Sequence, residues 1–166
     1  SMGDFHAASS ILSPKDEERR YFPDKAFDGK METAWAEGKD GDGIGEKLGF
    51  CIGTTVKKVR IVPGLAHPAY FKKNNRVKKA RLTFHKIKGQ HAHQCGILIE
   101  YGGAVKTVTL SLRDAMTWQE FDVGLREESE NGHVGILTIL EVYPGEKWRD
   151  TCISEVAVVP FAEPGK

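Results

Sequence analysis

Residues 134–143 have the sequence Val-Gly-Ile-Leu-Thr-Ile-Leu-Glu-Val-Tyr, and this stretch decides the fold class. Its centre, Ile136 to Leu140, is apolar at nearly every position, with Thr138 as the exception. Side chains of a β-strand alternate between the two faces of a sheet. A strand that is apolar on both faces belongs at the centre of a sheet or between two layers. We therefore expect a central strand here.

The stretch from Val77 to His85 has the alternation of a strand that is buried on one face only. Ala80, Leu82 and Phe84 share one face, while charged and polar residues share the other. The same period of two recurs along the chain, and no stretch keeps a 3.6-residue period over three turns. The sequence therefore predicts an all-β fold. The expected strands are Glu46 to Cys51, Val56 to Pro63, Val77 to His85, Gly96 to Tyr101, Ala104 to Ser111, Trp118 to Val123, Val134 to Tyr143 and Cys152 to Phe161.

Short strands joined by turn-rich loops favour a two-sheet sandwich or jelly roll over any α/β arrangement. The pair Gly102-Gly103 separates two of the strands and predicts a tight hairpin turn, because such turns need positive φ angles. We expect one domain over residues 1–166, in which residues 1–7 are an expression tag or a flexible leader.

Composition excludes several classes of partner. The 24 Lys plus Arg residues against 23 Asp plus Glu residues leave a net charge of +1, which provides no overall field for nucleic acid. No apolar run reaches the roughly 18 residues that a transmembrane helix needs. Cys51, Cys95 and Cys152 form no Cys-x-x-Cys pair, so we expect three buried thiols. One disulfide with one free thiol remains the alternative.

Three oxygen-bearing residues could form a cation site. An Asp28-Gly29 turn precedes Thr33, and carboxylate and hydroxyl oxygens are ligands that Ca²⁺ accepts. Glu155 lies in an apolar run, where a carboxylate must be paired, hydrogen-bonded or metal-bound. In the alternative, Asp28 caps a turn and Glu155 meets a lysine or backbone amides. The residues alone leave both interpretations open.

Five short motifs together indicate a family. The chain resembles the NAD glycohydrolase-type glycan-binding (translocation) domain, within the galactose-binding, discoidin-like jelly-roll sandwiches. The resemblance covers about residues 8–159 and rests on motifs found in this order. They are Trp35-x-Glu37-Gly38, Gly43-Ile44-Gly45-Glu46, Asn74-Asn75-Arg76-Val77-Lys78, Tyr143-Pro144-Gly145 and Asp150-Thr151-Cys152-Ile153-Ser154-Glu155.

The resemblance implies a jelly-roll sandwich that binds a glycan through loops at one edge. It also implies a secreted or surface-associated bacterial protein in which the domain targets or anchors an attached or neighbouring effector domain. It favours a structural Ca²⁺ held by Asp28, Thr33 and Glu155. The resemblance does not imply NAD hydrolysis by this chain, because the catalytic domain of an NAD glycohydrolase is separate from its glycan-binding domain.

A glycan site needs planar polar side chains for sugar hydroxyls and an aromatic face for the apolar side of a pyranose ring. Each candidate could instead have a structural role in a turn, an ion pair or packing. The candidate ligand-binding residues are Glu37, His67, Tyr70, Asn75, Arg76, Trp148 and Asp150.

We therefore expect a non-catalytic carbohydrate-binding module, for which the sequence suggests no catalytic residues. One alternative is an adaptor domain that docks a protein, such as an effector or toxin. A hydrolase is a further alternative, although no motif gives a nucleophile, a base and an orienting group defined roles.

Overall fold

Strands supply nearly all of the regular structure, as the period-two patterns predict. The computed structural model describes residues 2–163. Among these residues, no helix is long or apolar enough to span a membrane. The strands are β1 Met2–Ala8, β2 Trp35–Ala36, β3 Lys47–Ile52, β4 Val56–Pro63, β5 Asn75–His93, β6 Gly96–Ser111, β7 Gln119–Leu125, β8 His133–Tyr143 and β9 Thr151–Val159, with a 3₁₀ turn at Pro23–Ala26.

The strands form a jelly-roll sandwich. Strands β1, β3, β8, β5 and β6 lie side by side in this order, all antiparallel. Strands β7, β4 and β9 make the other layer, and the short β2 pairs with β9. Near one end, Asn75 and Arg76 of β5 pair in parallel with Thr151 and Cys152 of β9. This short pairing joins the layers where their connecting loops meet.

The central position predicted for residues 134–143 is confirmed, since β8 lies between β3 and β5. Leu137 and Ile139 are completely buried between the layers, together with Trp35 and Phe84. Ile136 points to the opposite face, where it packs with other apolar side chains in a second, smaller cluster. Both faces of β8 therefore make apolar contacts, which explains its apolar character.

The long β5–β6 hairpin differs from the expectation. The one-sided burial of β5 is confirmed, but the turn predicted at Gly102-Gly103 is wrong, because both glycines lie inside β6. Neither has the positive φ that a two-residue hairpin turn requires, whereas Gly96 does. The chain reverses after His93, and the hairpin extends well past the predicted end of β5.

Two further expectations need correction. The segment expected to be flexible, residues 1–7, includes most of β1, which pairs with β3 from Met2 to Ala8. Of the three cysteines, Cys51 and Cys152 are buried free thiols, whereas Cys95 is exposed near the tip of the hairpin. The exposure follows from the hairpin turn, which leaves no layer to cover that residue.

A buried histidine lies at the start of β8. His133 is 1% exposed, and neither ring nitrogen has a hydrogen-bond partner among the described residues. Burial lowers the pKa of His133, and the positive charge of Lys86 lowers it further, while Glu127 opposes the shift. A proton on this ring would place a charge inside the sandwich.

We expect His133 to make the fold sensitive to mild acid. In the unfolded chain its imidazole takes up a proton near pH 6.5, whereas the folded state resists protonation until a lower pH. Its contribution to stability is therefore present above about pH 6.5 and is lost as the pH falls through the native pKa. Urea unfolding at about pH 7.5 and about pH 5.5 should show a larger loss for the wild type than for His133→Leu. His93→Gln, at an exposed site, is the control, and equal losses in wild type and His133→Leu would contradict this role.

Candidate functional site

Three loops meet at one end of the sandwich, because the strands that carry them end there. Strand β4 ends at Pro63, β8 ends at Tyr143, and β5 and β9 begin nearby. Arg76 pairs with both Tyr143 and Cys152, which brings the ends of β8 and β9 beside the start of β5. We call residues 37–46, 64–74 and 144–150 the loop end.

Glu37 is completely buried beneath the loop end. Its carboxylate accepts hydrogen bonds from the backbone N–H groups of Thr151 (3.1 Å) and Lys39 (2.8 Å). Burial raises the pKa of Glu37, although these amides oppose the shift. Gly43 packs against the carboxylate, where any Cβ would lie 2.4 Å from the Glu37 Cδ atom. Glu37 was a predicted sugar ligand, but its position inside the protein gives it the role of fixing the first loop.

Asn75 is also completely buried, and its amide joins two loops. Its Nδ2 donates to Asp42 Oδ1 (3.1 Å) and to the Arg149 carbonyl (2.9 Å). Its Oδ1 accepts a hydrogen bond from the Gly145 N–H (2.7 Å). Arg149 also binds Asp42 through two hydrogen bonds, and this contact lowers the pKa of Asp42 to about 2. Asn75 was another predicted sugar ligand, but its amide forms its hydrogen bonds within the loop end.

Arg76 has a similar internal role. Its guanidinium forms a two-pronged ion pair with Asp114 (2.9 and 2.8 Å) and donates to the carbonyls of Asn74 and Pro144. The ion pair with Arg76 lowers the pKa of Asp114 to about 2. Only 4% of Arg76 is exposed, so this predicted ligand residue cannot present its side chain to a sugar. It ties the start of β5 to the loop after β6.

The remaining predicted ligands lie at the surface of the loop end, and three of them form an aromatic cluster. The rings of His67 and Tyr70 are 4.9 Å apart, and those of Tyr70 and Trp148 are 6.5 Å apart. The Lys73 ammonium lies 5.6 Å from the Tyr70 ring, and that of Lys147 lies 4.5 Å from the Trp148 ring. We call His67, Tyr70 and Trp148 the aromatic cluster.

A cleft opens beside the aromatic cluster. It has a volume of about 260 Å³, and its lining includes Arg20, Tyr21 and Leu65 along with His67 and Tyr70. No sequence pattern pointed to Arg20 and Tyr21, because they lie in a charged, turn-prone segment far from the other loops along the chain. Their position depends on long-range folding that no local pattern reveals.

Asp150, the last predicted ligand, is half-buried at the end of the 144–150 loop. Burial raises the pKa of Asp150, and a hydrogen bond from its own backbone amide partly opposes the shift. Its negative charge also raises the pKa of Glu37, so the two carboxyl groups are close enough to interact. Asp150 is thus a half-buried carboxyl group of the loop end that forms no ion pair within residues 2–163.

The three predicted cation ligands lie together. Asp28 Oδ2 accepts a hydrogen bond from Thr33 Oγ1 (2.6 Å). The backbone N–H of Lys30 donates to both Asp28 Oδ1 (2.9 Å) and Glu155 Oε1 (3.0 Å). Two carboxylates that share one amide are neighbours, and we call Asp28 and Glu155 the carboxylate pair.

The carboxylate pair is electrostatically unfavourable when both groups are charged. Burial, contact with Asp28 and the charge of Asp28 raise the pKa of Glu155 to about 8. A divalent cation between the two groups would remove this repulsion, and turn carbonyls and the Thr33 hydroxyl could supply further oxygens. No group of three or more His, Cys, Asp or Glu side chains suited to a metal occurs among the described residues. The donors of this set are oxygens, the ligands that Ca²⁺ prefers, whereas many transition metals favour nitrogen and sulfur.

The sequence of almost the whole chain matches one known family. Residues 3–159 match the model of the NAD glycohydrolase translocation F5/8 type C domain. The chain belongs to this family. Among curated proteins there is no match to this F5/8 type C domain.

Solved structures share its fold at low sequence identity. The F5/8 type C domain is similar to the family 32 CBM of C. perfringens NanJ in complex with galactose, with 16% identity, a TM-score of 0.56 and coverage of 93% of this chain and 91% of the other. It is similar to the lectin domain of lectinolysin complexed with Lewis B antigen, with 11% identity, a TM-score of 0.57 and coverage of 96% and 94%. It is also similar to a chitosan-binding module from a Paenibacillus chitosanase/glucanase, with 14% identity, a TM-score of 0.53 and coverage of 93% of each chain.

These likenesses establish the fold of the F5/8 type C domain. The similar structures are carbohydrate-binding modules and a lectin domain. The identities are too low to transfer sugar ligands residue by residue. The binding residues of this chain must therefore be argued from its own surface.

Proposed function

We propose that this domain is a non-catalytic carbohydrate-binding module that anchors a larger protein to glycans through the loop end. The observation that supports this most strongly is the aromatic cluster of His67, Tyr70 and Trp148, which lies at the surface on a buried polar framework. In this proposal the module belongs to a secreted or cell-surface protein and serves an attached or neighbouring effector domain.

The chemistry of the aromatic cluster suits a sugar. A pyranose ring has an apolar face that stacks on an aromatic ring, and hydroxyls that need polar partners. Tyr70, which is 37% exposed, and Trp148 supply rings, and His67 supplies a polar ring beside Tyr70. Asp150, two residues after Trp148, adds a half-buried carboxyl group. The loops that carry these side chains are fixed by buried contacts, so little entropy is lost when a ligand binds.

A structural Ca²⁺ at Asp28, Thr33 and Glu155 completes the proposal. Bound there, the cation would neutralise the carboxylate pair and fix the turn at residues 28–33 against β9. The shared amide of Lys30 already holds the pair in position. The cation is proposed as a stabilising element, because the carboxylate pair is distinct from the residues of the aromatic cluster.

We expect Ca²⁺ to raise the melting temperature of the purified domain at about pH 8 by about 5 °C relative to EDTA. The gain should disappear in Glu155→Gln, because one of the two carboxylates is lost. Without Ca²⁺, Glu155→Gln should melt at a higher temperature than the wild type, since like-charge repulsion is removed. Glu32→Gln, an exposed carboxylate in the same loop, is the control and should keep the gain. An equal Ca²⁺ effect in wild type and Glu155→Gln would contradict the site.

We expect the domain to bind a defined glycan on an array, and Tyr70→Ala and Trp148→Ala to weaken that binding about tenfold each in calorimetry. A tenfold change corresponds to about 1.4 kcal/mol, which is the scale of an aromatic contact. Tyr101→Ala is a matched control, because Tyr101 is also an exposed tyrosine beside a histidine ring, at 5.0 Å from His85. It lies on the β5–β6 hairpin and should bind as the wild type does.

Two outcomes would count against this assignment. Equal losses in Tyr70→Ala and Tyr101→Ala would show that the aromatic cluster is not the site. Absence of binding to any glycan on the array by a folded, Ca²⁺-loaded sample would favour the adaptor alternative. In that alternative a protein partner binds the loop end, and free sugar does not compete.

A further inference from the structure

A second concave surface lies on the outer face of the β1-β3-β8-β5-β6 layer. This groove has a volume of about 510 Å³, within the roughly 300–1,000 Å³ range of small-molecule pockets. Its floor includes Cys51, Val134 and Ile136, and its walls come from Phe5 of β1 and from Ile97 and Tyr101 of β6. Ile97 and Tyr101 are each 47% exposed. The groove is therefore an apolar surface that the fold leaves open.

The middle of the floor lacks a side chain. Gly49 lies between Ala7 of β1 and Ile136 of β8 in one cross-strand row. A Cβ at Gly49 would meet only the carbonyl oxygens of Ala7 at 3.7 Å and Gly135 at 3.9 Å, which are ordinary contacts, and its φ is not positive. Neither crowding nor backbone conformation requires glycine here. A glycine inside a strand often marks a place where a ligand approaches the backbone closely.

One end of the groove is charged. Among the lining residues that the structure describes, Lys47 is the only lysine, arginine or acidic residue, and it is exposed. Its Nζ donates to the Gly45 carbonyl at 3.3 Å, and it forms no ion pair within the part of the chain that the structure describes. Lys47 and Cys51 lie on the same face of β3, about 14 Å apart at 3.4 Å per residue. The groove thus runs from a cation to a purely apolar region.

A protein segment fits this surface poorly. The backbone groups of β3 and β8 are used within the sheet, so the floor offers no hydrogen bonds to a peptide backbone. In a two-fold symmetric contact, a second copy of the chain would present the same concave surface, and two concave surfaces cannot fill each other. A hydrocarbon chain needs no hydrogen bonds and fits an apolar trough.

We propose that the groove binds an anionic single-chain amphiphile such as a fatty acid, with its carboxylate at Lys47 and its chain over Gly49 toward Ile97. The groove and the aromatic cluster consist of different residues, so experiments can contradict either proposal without affecting the other.

The test is a fluorescence titration of the purified domain with cis-parinaric acid, followed by competition with decanoate and dodecanoate below their micelle concentrations. We expect saturable binding of one molecule per chain. Each buried methylene strengthens binding about fourfold, so dodecanoate, with two more methylenes, should compete about 16-fold more strongly than decanoate. Gly49→Leu should weaken binding more than about tenfold, because its side chain takes the place of several methylene groups. Gly53→Ala, which has open space around its Cβ and lies outside the groove, should bind as the wild type does.

The head-group assignment has its own control. Lys47→Ala should weaken binding about threefold and remove its salt dependence, as expected for an exposed ion pair, whereas Lys57→Ala on β4 should have no effect. Absence of saturable binding to the wild type would overturn the proposal. Unchanged binding in a folded Gly49→Leu variant, checked by its melting temperature and glycan binding, would overturn it as well. Equal effects of Lys47→Ala and Lys57→Ala would remove Lys47 from the site.

Discussion

The loop end depends on the buried side chain of Asn75. Its amide holds Asp42, the Arg149 carbonyl and the Gly145 N–H at once, so two loops far apart in sequence are fixed by one residue. An unpaired buried amide would cost about 1–3 kcal/mol, which makes any other loop arrangement unfavourable. Arg76 extends the same framework to Asp114. The buried polar groups of this framework are hydrogen-bonded to one another, so the loops that carry the aromatic cluster are held at a fixed spacing.

Much of the fold could be predicted from local patterns. The two-sided apolar pattern of residues 134–143 gave the central strand, and alternation gave the buried face of β5. The position of the β5–β6 turn could not be predicted, because Gly102 and Gly103 are accommodated within a paired strand as irregularities. Glycine permits a turn without requiring one, and the pairing of neighbouring strands decided the outcome.

The candidate site was harder to predict. The sequence pointed to residues of these loops, but it could not tell which of them are buried and which lie at the surface. The burial of Glu37, Asn75 and Arg76 could not be predicted, because their hydrogen-bond partners come from segments up to 114 residues away. The grouping of Asp28, Thr33 and Glu155 could be predicted from the sequence, since a carboxylate in an apolar run must have a partner. No sequence pattern indicated the open groove, because the missing side chain at Gly49 matters only when β1 and β8 lie beside β3.

The central claim is that a glycan binds the aromatic cluster that this buried framework supports. The most direct measurement is nuclear magnetic resonance of the isotope-labelled domain, free and with a sugar selected on the array. We predict that the largest shift changes fall on the ring signals of His67, Tyr70 and Trp148, while the side-chain amide of Asn75 keeps its environment. Shift changes confined to the β5–β6 hairpin, or a sugar that displaces Asn75 from its partners, would contradict this account.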